Sequence, residues 1–558
     1  MCGLFGQLGA QLKEHSQNLV LNALNERGPD GHGIHIEQVD VPSDLCLTFL
    51  HTRLAIQDLS SLGHQPMGSP EGNLWLIFNG EIYNQFQLRQ ELQQAGFCFR
   101  STSDTEVLLH GYRYWGNRLW GKLNGIFAVA IWDRLNAELI LARDSCGVKP
   151  LLWQYCSAAL TFASELSAFE AAGLASRKQL SIEALKSFAL WGAVEAPLTL
   201  LKGVKVFPAG HFVVCRAGNE GLKVLQPQPF TAPLSAPAPL ADLLVQAVSR
   251  QAIGDRPVGL FLSGGLDSGL LGALLRQQQQ GPINSLSVGF EELPGAVDES
   301  DQAAYTAAHL GLNHQRVVIS AKDLEASFEP FLAAIDQPSI DGFNTFLVSQ
   351  AARSIGMVVA FSGLGADELF YGYRHMAWRS AHKRLASRRI SASGLNPWLK
   401  NELLRAQLQT SDQAANAQQE ECGRYLQNTL LRDSDAVSMA LGLELRVPFL
   451  DPDLIAFAKG RSSAEHLSAG PKTLLRAQAE TLLPAEILRR PKLGFNLPLA
   501  PWLSSDTRFA PSRLINQLAQ IEIPAHAIWR SWFLMQISPR RFAPYWRWVV
   551  LSEWLAMN

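Results

Sequence analysis

Short apolar runs bounded by polar or glycine-containing turns dominate residues 1 to about 200. Leu74-Trp75-Leu76-Ile77-Phe78, Phe127-Ala128-Val129-Ala130-Ile131-Trp132 and Leu139-Ile140-Leu141-Ala142 are examples. Such runs predict buried strands of a sheet-based domain. Helical spacing interrupts them near 85–95 and 105–114.

Between Val224 and Pro239 the pattern breaks. Pro227, Pro229, Pro233, Pro237 and Pro239 can continue neither a helix nor a central strand. A linker ending near Leu240 is expected. Beyond it the pattern predicts helices over 241–251, 266–278, 300–310 and 345–355, alternating with strands over 258–262, 283–288, 315–319 and 357–361. That alternation implies a parallel, doubly wound α/β sheet. From about Arg379 helical spacing dominates. Trp529, Trp532, Trp546, Trp548 and Trp554 read as packing residues of a helical part. The expected division is 2–200 for the first domain, 201–240 for a connector and linker, and 241–558 for the second domain.

At 558 residues the chain exceeds what one core serves, so two or three domains are expected. A net charge of -2 gives no electrostatic case for nucleic acid or an anionic membrane. The start has no basic region of a signal peptide, and no run approaches bilayer-spanning length. Cys46, Cys98, Cys146, Cys156, Cys215 and Cys422 show no CxxC or metal-ligand spacing. They fit reduced thiols in the cytoplasm.

Cys2 changes the picture. With the initiator Met removed, residue 2 carries both a thiol and the free α-amine. An α-amine of pKa about 8 can take the thiol's proton, so one residue supplies nucleophile and base. In the second half, Ser263-Gly264-Gly265-Leu266-Asp267-Ser268 follows a predicted strand and opens a helix. Glycines let the backbone come close to an anion, and the helix N-terminus directs N–H groups at it. It is not a Walker A loop. Ser362-Gly363-Leu364-Gly365-Ala366-Asp367-Glu368 likewise leaves the end of a strand, where open α/β sheets bind ligands.

The first of these loops resembles the PP-loop of the N-type ATP pyrophosphatases, which cleave ATP to AMP and pyrophosphate. That resemblance makes Asp267 one Mg²⁺ ligand and Asp367 a second. The N-terminal part resembles the class II, N-terminal-nucleophile glutamine amidotransferases. The matching segments are Met1-Cys2-Gly3, Arg27-Gly28-Pro29-Asp30, His51-Thr52-Arg53-Leu54-Ala55-Ile56, Phe78-Asn79-Gly80-Glu81-Ile82-Tyr83-Asn84 and Ser103-Asp104-Thr105-Glu106. Gly442-Leu443-Glu444-Leu445-Arg446-Val447-Pro448-Phe449-Leu450-Asp451 and Arg490-Pro491-Lys492-Leu493-Gly494-Phe495 complete the set. Nearly end to end, the chain resembles the glutamine-hydrolysing asparagine synthetase family. The implied fold is an α+β domain of layered antiparallel sheets with helices, then an α/β parallel-sheet domain with a helical C-terminal part.

The resemblance implies the following roles. Cys2 attacks the glutamine side-chain amide. Asn79 and the Gly80 N–H form the oxyanion hole. Arg53 pairs with the glutamine α-carboxylate. Asp104 and Glu81 receive the α-ammonium, and Leu54, Ala55, Ile56 and Gln57 complete the pocket. ATP binds at Leu262, Ser263, Gly264, Gly265, Asp267, Ser268, Val288, Ser362 and Gly363. Lys492 stabilises charge on the phosphates or on the tetrahedral intermediate. Glutamine and aspartate are the implied substrates, ATP and Mg²⁺ the cofactors, and a homodimer the implied assembly. Taken alone, Arg53 and Asp104 would read as surface ion-pair residues, and Asn79-Gly80 as a type I′ turn. Ammonia must travel unprotonated between the sites, so an apolar channel between the domains is expected.

Three places depart from the family's pattern. Leu364 stands where an acidic residue is common, leaving Glu368 and Asp341 as candidates for an acid-assisted step. Residues 336–345 and Arg143-Asp144-Ser145-Cys146-Gly147 also differ. The first and second lie where the acceptor should bind. A uronic acid of a surface sugar, a peptide carboxylate and a non-catalytic paralogue therefore stand as alternatives.

Overall fold

The computed structural model describes residues 2–40, 45–156, 159–219, 221–291, 298–373, 376, 412–490, 497–521 and 523–557. Two antiparallel sheets form the first domain. One contains β1 (Gly3–Gly9), β2 (Gly31–Gln38), β3 (Cys46–Arg53), β8 (Leu152–Cys156), β9 (Ala159–Ala163) and β10 (Lys205–Val206), in the order β10-β8-β9-β1-β3-β2. The other contains β4 (Met67–Gly68), β5 (Leu74–Ile82), β6 (Gly125–Asp133), β7 (Glu138–Arg143), β11 (His211–Gly218) and β12 (Gly221–Val224), in the order β12-β11-β7-β6-β5-β4. A short β13 (Gln228–Pro229) pairs with β11.

The predicted apolar runs are central strands of the second sheet, and the period of two explains their layering. Ile77 faces inward with Leu4, Phe49 and Trp132, in a core between the sheets. Its neighbours Leu76 and Phe78 face outward, against the helices Gln85–Gln94 and Asp104–Trp115. On the far side of the first sheet, Phe5 and Leu50 pack against the helices Glu14–Leu24 and Ile182–Trp191. Both sheets are thus covered on two faces at their centres, which is why central strands such as β6 and β7 are apolar throughout, whereas the edge strand β2 alternates.

The structure corrects the expected connector over 201–240. Residues from Lys205 to Pro229 are largely strand and belong to the two sheets of the first domain. The stretch from Phe230 to Pro239 has the irregular backbone that its prolines dictate.

The second domain is built on β14 (Val258–Phe261), β15 (Asn284–Phe290), β16 (Asn313–Ile319), β17 (Val359–Phe361) and β18 (Glu444–Arg446). All four pairings are parallel, in the order β16-β15-β14-β17-β18. The order reverses at β14 and β17, so the loops leaving these two strands face a common crevice. Described residues from 412 onward are mainly helical. Trp546, Trp548 and Trp554 are core residues, whereas Trp529 is 48% exposed. Among the described residues, no helix is long and apolar enough to cross a membrane.

One apolar core crosses between the domains. Leu54, Ile56, Tyr83 and Ile126 of the first pack in one cluster with Leu262, Phe361, Ala366 and Val447 of the second.

Candidate active site

Cys2 is buried at the head of β1. Its main-chain N–H donates to Asn79 Oδ1 at 3.0 Å. Asn79 is itself fully buried, and its Nδ2 has no hydrogen-bond partner. A buried amide donor without an acceptor is costly, and beside Cys2 it is placed for an oxyanion. Asn79-Gly80 does not form the hairpin turn that the dipeptide alone predicts. Both residues lie within β5, opposite Ala128 and Phe127 of β6. Gly80 has φ +152°, and a Cβ there would sit 2.0 Å from the Ile126 carbonyl oxygen. Glycine is therefore required by close strand approach.

Cys2, Arg53, Leu54, Ile56, Gln57, Gly80, Glu81 and Asp104 line one cleft. Ala55 stands just behind, its N–H donating to Asp30 Oδ2 at 2.8 Å. Arg53 and Asp104 are buried, not surface ion-pair residues. The Arg53 guanidinium is gripped by the carbonyls of Gln57, Asp58 and Ser60. Carbonyls orient the cation without cancelling its charge, which suits it to an incoming carboxylate.

Two acids line the same cleft. Asp104 opens the helix Asp104–Trp115 behind an N-cap from Ser103, and its Oδ2 accepts the Ile82 N–H at 2.9 Å. Burial pushes its pKa up to about 6, against that hydrogen bond. Glu81 is held by Gln57 Nε2. Burial, then the Glu444 charge, raises its pKa well above the usual range, while Arg446 opposes. Two buried acids destabilised as anions gain most from a cation, the chemistry of an α-ammonium. Burial also pushes the Cys2 thiol up, against a backbone contact from Leu54 and the charge of Arg53. The thiol therefore rests protonated at neutral pH.

Arg27, of the Arg-Gly-Pro-Asp segment, braces this site from behind. Its Nε donates to the Cys2 carbonyl at 3.3 Å, and its Nη1 to Glu165 at 2.8 Å. Its Nη2 donates to Asp435 of the second domain at 2.7 Å. Lys149 meets the same Asp435 at 2.7 Å. Despite burial, these two cations hold the Asp435 carboxyl below the ordinary range. The divergent segment at Arg143 supports itself. Arg143 binds the carbonyls of Lys149, Phe207 and Gly147, while Asp144 accepts N–H groups from Cys146, Val148 and Lys149.

In the second domain, the loop after β14 turns at Gly264, with φ +70° and Gln302 too close for a Cβ. Ser268 Oγ accepts the Ser263 N–H at 3.1 Å and holds the turn closed. Gly265 then caps the helix Leu266–Gln278, with Asp267 in its first turn. Leu262 N–H bonds Leu286 O at 2.8 Å, and Val288 lies further along the same strand. A Cβ on Gly363 would meet Asp267 Cβ at 3.3 Å, so the two predicted loops touch.

Sequence reasoning missed the group at their meeting point. Lys472 Nζ lies 2.5 Å from Asp267 Oδ2 and 2.6 Å from Asp367 Oδ1. Lys472 is buried, in left-handed backbone at the N-terminus of the helix Thr473–Ala479. Burial lowers its pKa, but the two carboxylates outweigh it and raise the ammonium above its ordinary range. Its only signal in the sequence is a lysine after Gly470-Pro471 at a helix start. Two carboxylates converging on one cation form a donor set suited to a divalent ion. No group of three or more possible metal ligands occurs among the described residues, so phosphate oxygens would have to complete such a site. Lys492 lies outside the described residues.

Both candidates for an acid near Leu364 are held by phenols. Tyr373 OH donates to Glu368 Oε1 at 2.5 Å, and Tyr425 OH to Asp341 Oδ2 at 2.6 Å. Burial pushes Glu368 up to about 7. Leu364 packs against the shared apolar core.

Comparison with known proteins adds two family matches. The family described as "Asparagine synthase" matches residues 239–556, and "Glutamine amidotransferase domain" matches residues 1–225. "Asparagine synthetase [glutamine-hydrolyzing] 3" of Bacillus subtilis is 30% identical, over 88% of this chain and 86% of that protein. "Asparagine synthetase [glutamine-hydrolyzing] 1" of the same organism is 29% identical, over 91% and 88%. "Asparagine synthetase [glutamine-hydrolyzing]" of Gallus gallus is 29% identical, over 89% and 84%.

Proposed function

This chain belongs to the asparagine synthase family, and on that footing we propose that its two sites run one reaction in series. The chain is an ATP-dependent ligase that takes its nitrogen from glutamine and forms asparagine from aspartate. With Met1 removed, the Cys2 nitrogen is the α-amine that takes the thiol proton. The thiolate attacks the glutamine amide, and Asn79 Nδ2 with the Gly80 N–H receives the oxyanion. Arg53 holds the substrate's carboxylate, and Glu81 with Asp104 its ammonium. Ammonia leaves, and water releases glutamate from the thioester.

In the second site the Ser263–Ser268 turn and the helix N-terminus at Gly265 cradle ATP phosphates, beside Ser362 and Gly363. The aspartate side-chain carboxylate attacks the α-phosphate, pyrophosphate departs, and ammonia then displaces AMP from the acyl-adenylate. Asp267 and Asp367 are the residues that would hold Mg²⁺, which when bound neutralises phosphate charge. Lys472, between them, brings a fixed positive charge to the same place, and Lys492 is the lysine that the resemblance assigns to the phosphates or the tetrahedral intermediate.

The observation that carries this reading is the apolar core shared by the two sites. Leu54 and Ile56 follow Arg53 in the glutamine cleft, Leu262 precedes the ATP loop, and all three pack in that core. Apolar surroundings of this kind suit the passage of ammonia and exclude ammonium. The cytoplasmic setting is read from the sparse cysteines, and the homodimeric assembly from the resemblance. A second reading keeps the chemistry and changes the acceptor carboxylate; the apolar Leu364 beside the ATP loop favours it. Pyrophosphate release with ATP, Mg²⁺ and glutamine, with and without aspartate, tests both. Aspartate-dependent pyrophosphate with matching asparagine is expected. Glutamate formation without that dependence would move the assignment to another carboxylate. Isotopically labelled glutamine against unlabelled ammonium tests the route: equal competition for the product nitrogen rules it out.

A further inference from the structure

Arg446 belongs to the second domain, yet its guanidinium reaches the glutamine cleft of the first. It is fully buried on β18, at the edge of the parallel sheet. Its Nε donates to Glu444 Oε1 at 2.6 Å, and its Nη1 to the carbonyls of Gln251 and Ile253. Its Nη2 makes no hydrogen bond and lies 3.5 Å from Glu81 Oε2. A buried donor left unpaired is unfavourable, so Glu81 gains by closing the last few tenths of an ångström. Gln57 Nε2 competes for the same Glu81 oxygen. The carboxylate at the ammonium end of the cleft thus sits between two donors, one from each domain.

The other end of Arg446 touches the ATP loop. Its carbonyl accepts the Ser362 N–H at 2.9 Å, just where β17 gives way to that loop. One residue therefore faces Glu81 with its side chain and holds the ATP loop by its backbone.

We propose that Arg446 is a positioning residue of the glutamine site, supplied by the second domain, and that it links glutamine affinity to occupancy of the ATP loop. The proposal rests on the two-site reading above. ATP at Ser362 and Gly363 fixes the backbone at Arg446. The fixed guanidinium holds Glu81 as an anion facing the α-ammonium. Linkage requires the reverse effect of glutamine on ATP affinity.

Glutamate release by the full chain, measured against glutamine concentration with and without ATP and Mg²⁺, tests this. In the native chain KM for glutamine falls about fivefold or more when ATP is present, with a smaller change in kcat. R446K keeps the charge but loses the fork that serves Glu444 and Glu81 together. Its KM without ATP rises about tenfold, and the response to ATP disappears. E444Q loosens the Nε end of the same guanidinium and moves both quantities in the same direction. It serves if R446K does not fold. A native KM indifferent to ATP overturns the linkage. A variant with native KM and native ATP response overturns the positioning role. Glutamate release with ATP alone does not involve the acceptor, so a failed asparagine assay would leave the ATP response readable.

Discussion

Replacing Lys472 by methionine removes one ammonium and little volume. The two carboxylate oxygens lie 2.5 and 2.6 Å from Nζ, so they stand no more than about 5 Å apart. Two unit charges at that distance repel by about 3 kcal/mol at an effective dielectric constant of 20. The ATP site is thus left with an unrelieved repulsion where phosphate anions must bind. The ammonium is also a fixed positive charge beside the departing pyrophosphate. One preorganised donor aimed at developing charge contributes about 3–4 kcal/mol, a factor of about a hundred to a thousand in rate. The assay is pyrophosphate release with ammonia as nitrogen source at saturating ATP, which bypasses Cys2. K472M should lose activity by that factor. Glutamate formation measured without ATP, at a site Lys472 does not touch, should stay within about twofold. Pyrophosphate release within about tenfold of native would refute the reasoning. Lys472 would then be a structural clasp for two acids and nothing more.

Three further outcomes are expected. C2A should abolish glutamine-supported asparagine formation and retain ammonia-supported formation, measured by amino-acid analysis; loss of both would separate Cys2 from the glutaminase role. Burial holds Asp104 at about 6, so it is a carboxylate above that pH and an acid below it. KM for glutamine should rise as pH falls through 6, by about tenfold per pH unit at the steepest. D104N should flatten that slope, and an unchanged slope would remove Asp104 from ammonium binding. D435N leaves Arg27 and Lys149 facing a neutral amide. Breaking a buried pair costs about 3–5 kcal/mol, and Arg27 keeps Glu165 at 2.8 Å, so about 3 kcal/mol is expected. A urea midpoint equal to native would show that this cluster does not fasten the domains.

Motifs made of neighbouring residues were legible in the sequence. Cys2, the Ser263–Ser268 turn and the Ser362–Glu368 loop are each readable within a few positions, and the structure brings the two loops together. Groups whose role depends on distant partners were not. Lys472 meets Asp267 across 205 positions. Arg446 meets Glu81 from the far end of the chain, and nothing local to the Glu-Leu-Arg segment points to that cleft. Asn79-Gly80 misleads because its composition suits a turn, while its close approach to Ile126 demands the same glycine inside a strand. The 201–240 boundary fails for a similar reason. Prolines after Val224 mark irregular backbone, but His211–Gly218 is held in the first domain by its pairing with β7, a long-range fact.

The core that Leu54 and Ile56 share with Leu262 and Val447 also limits how this enzyme can move. Domains that open like a jaw would expose those side chains to water at about 25 cal/mol for each square ångström. Motion during turnover is thereby steered into loops and side chains, with the two halves turning over as a single body. The same seam makes the halves poor candidates for separate expression. A fragment cut near residue 230 would carry its share of that core as a sticky, water-facing patch.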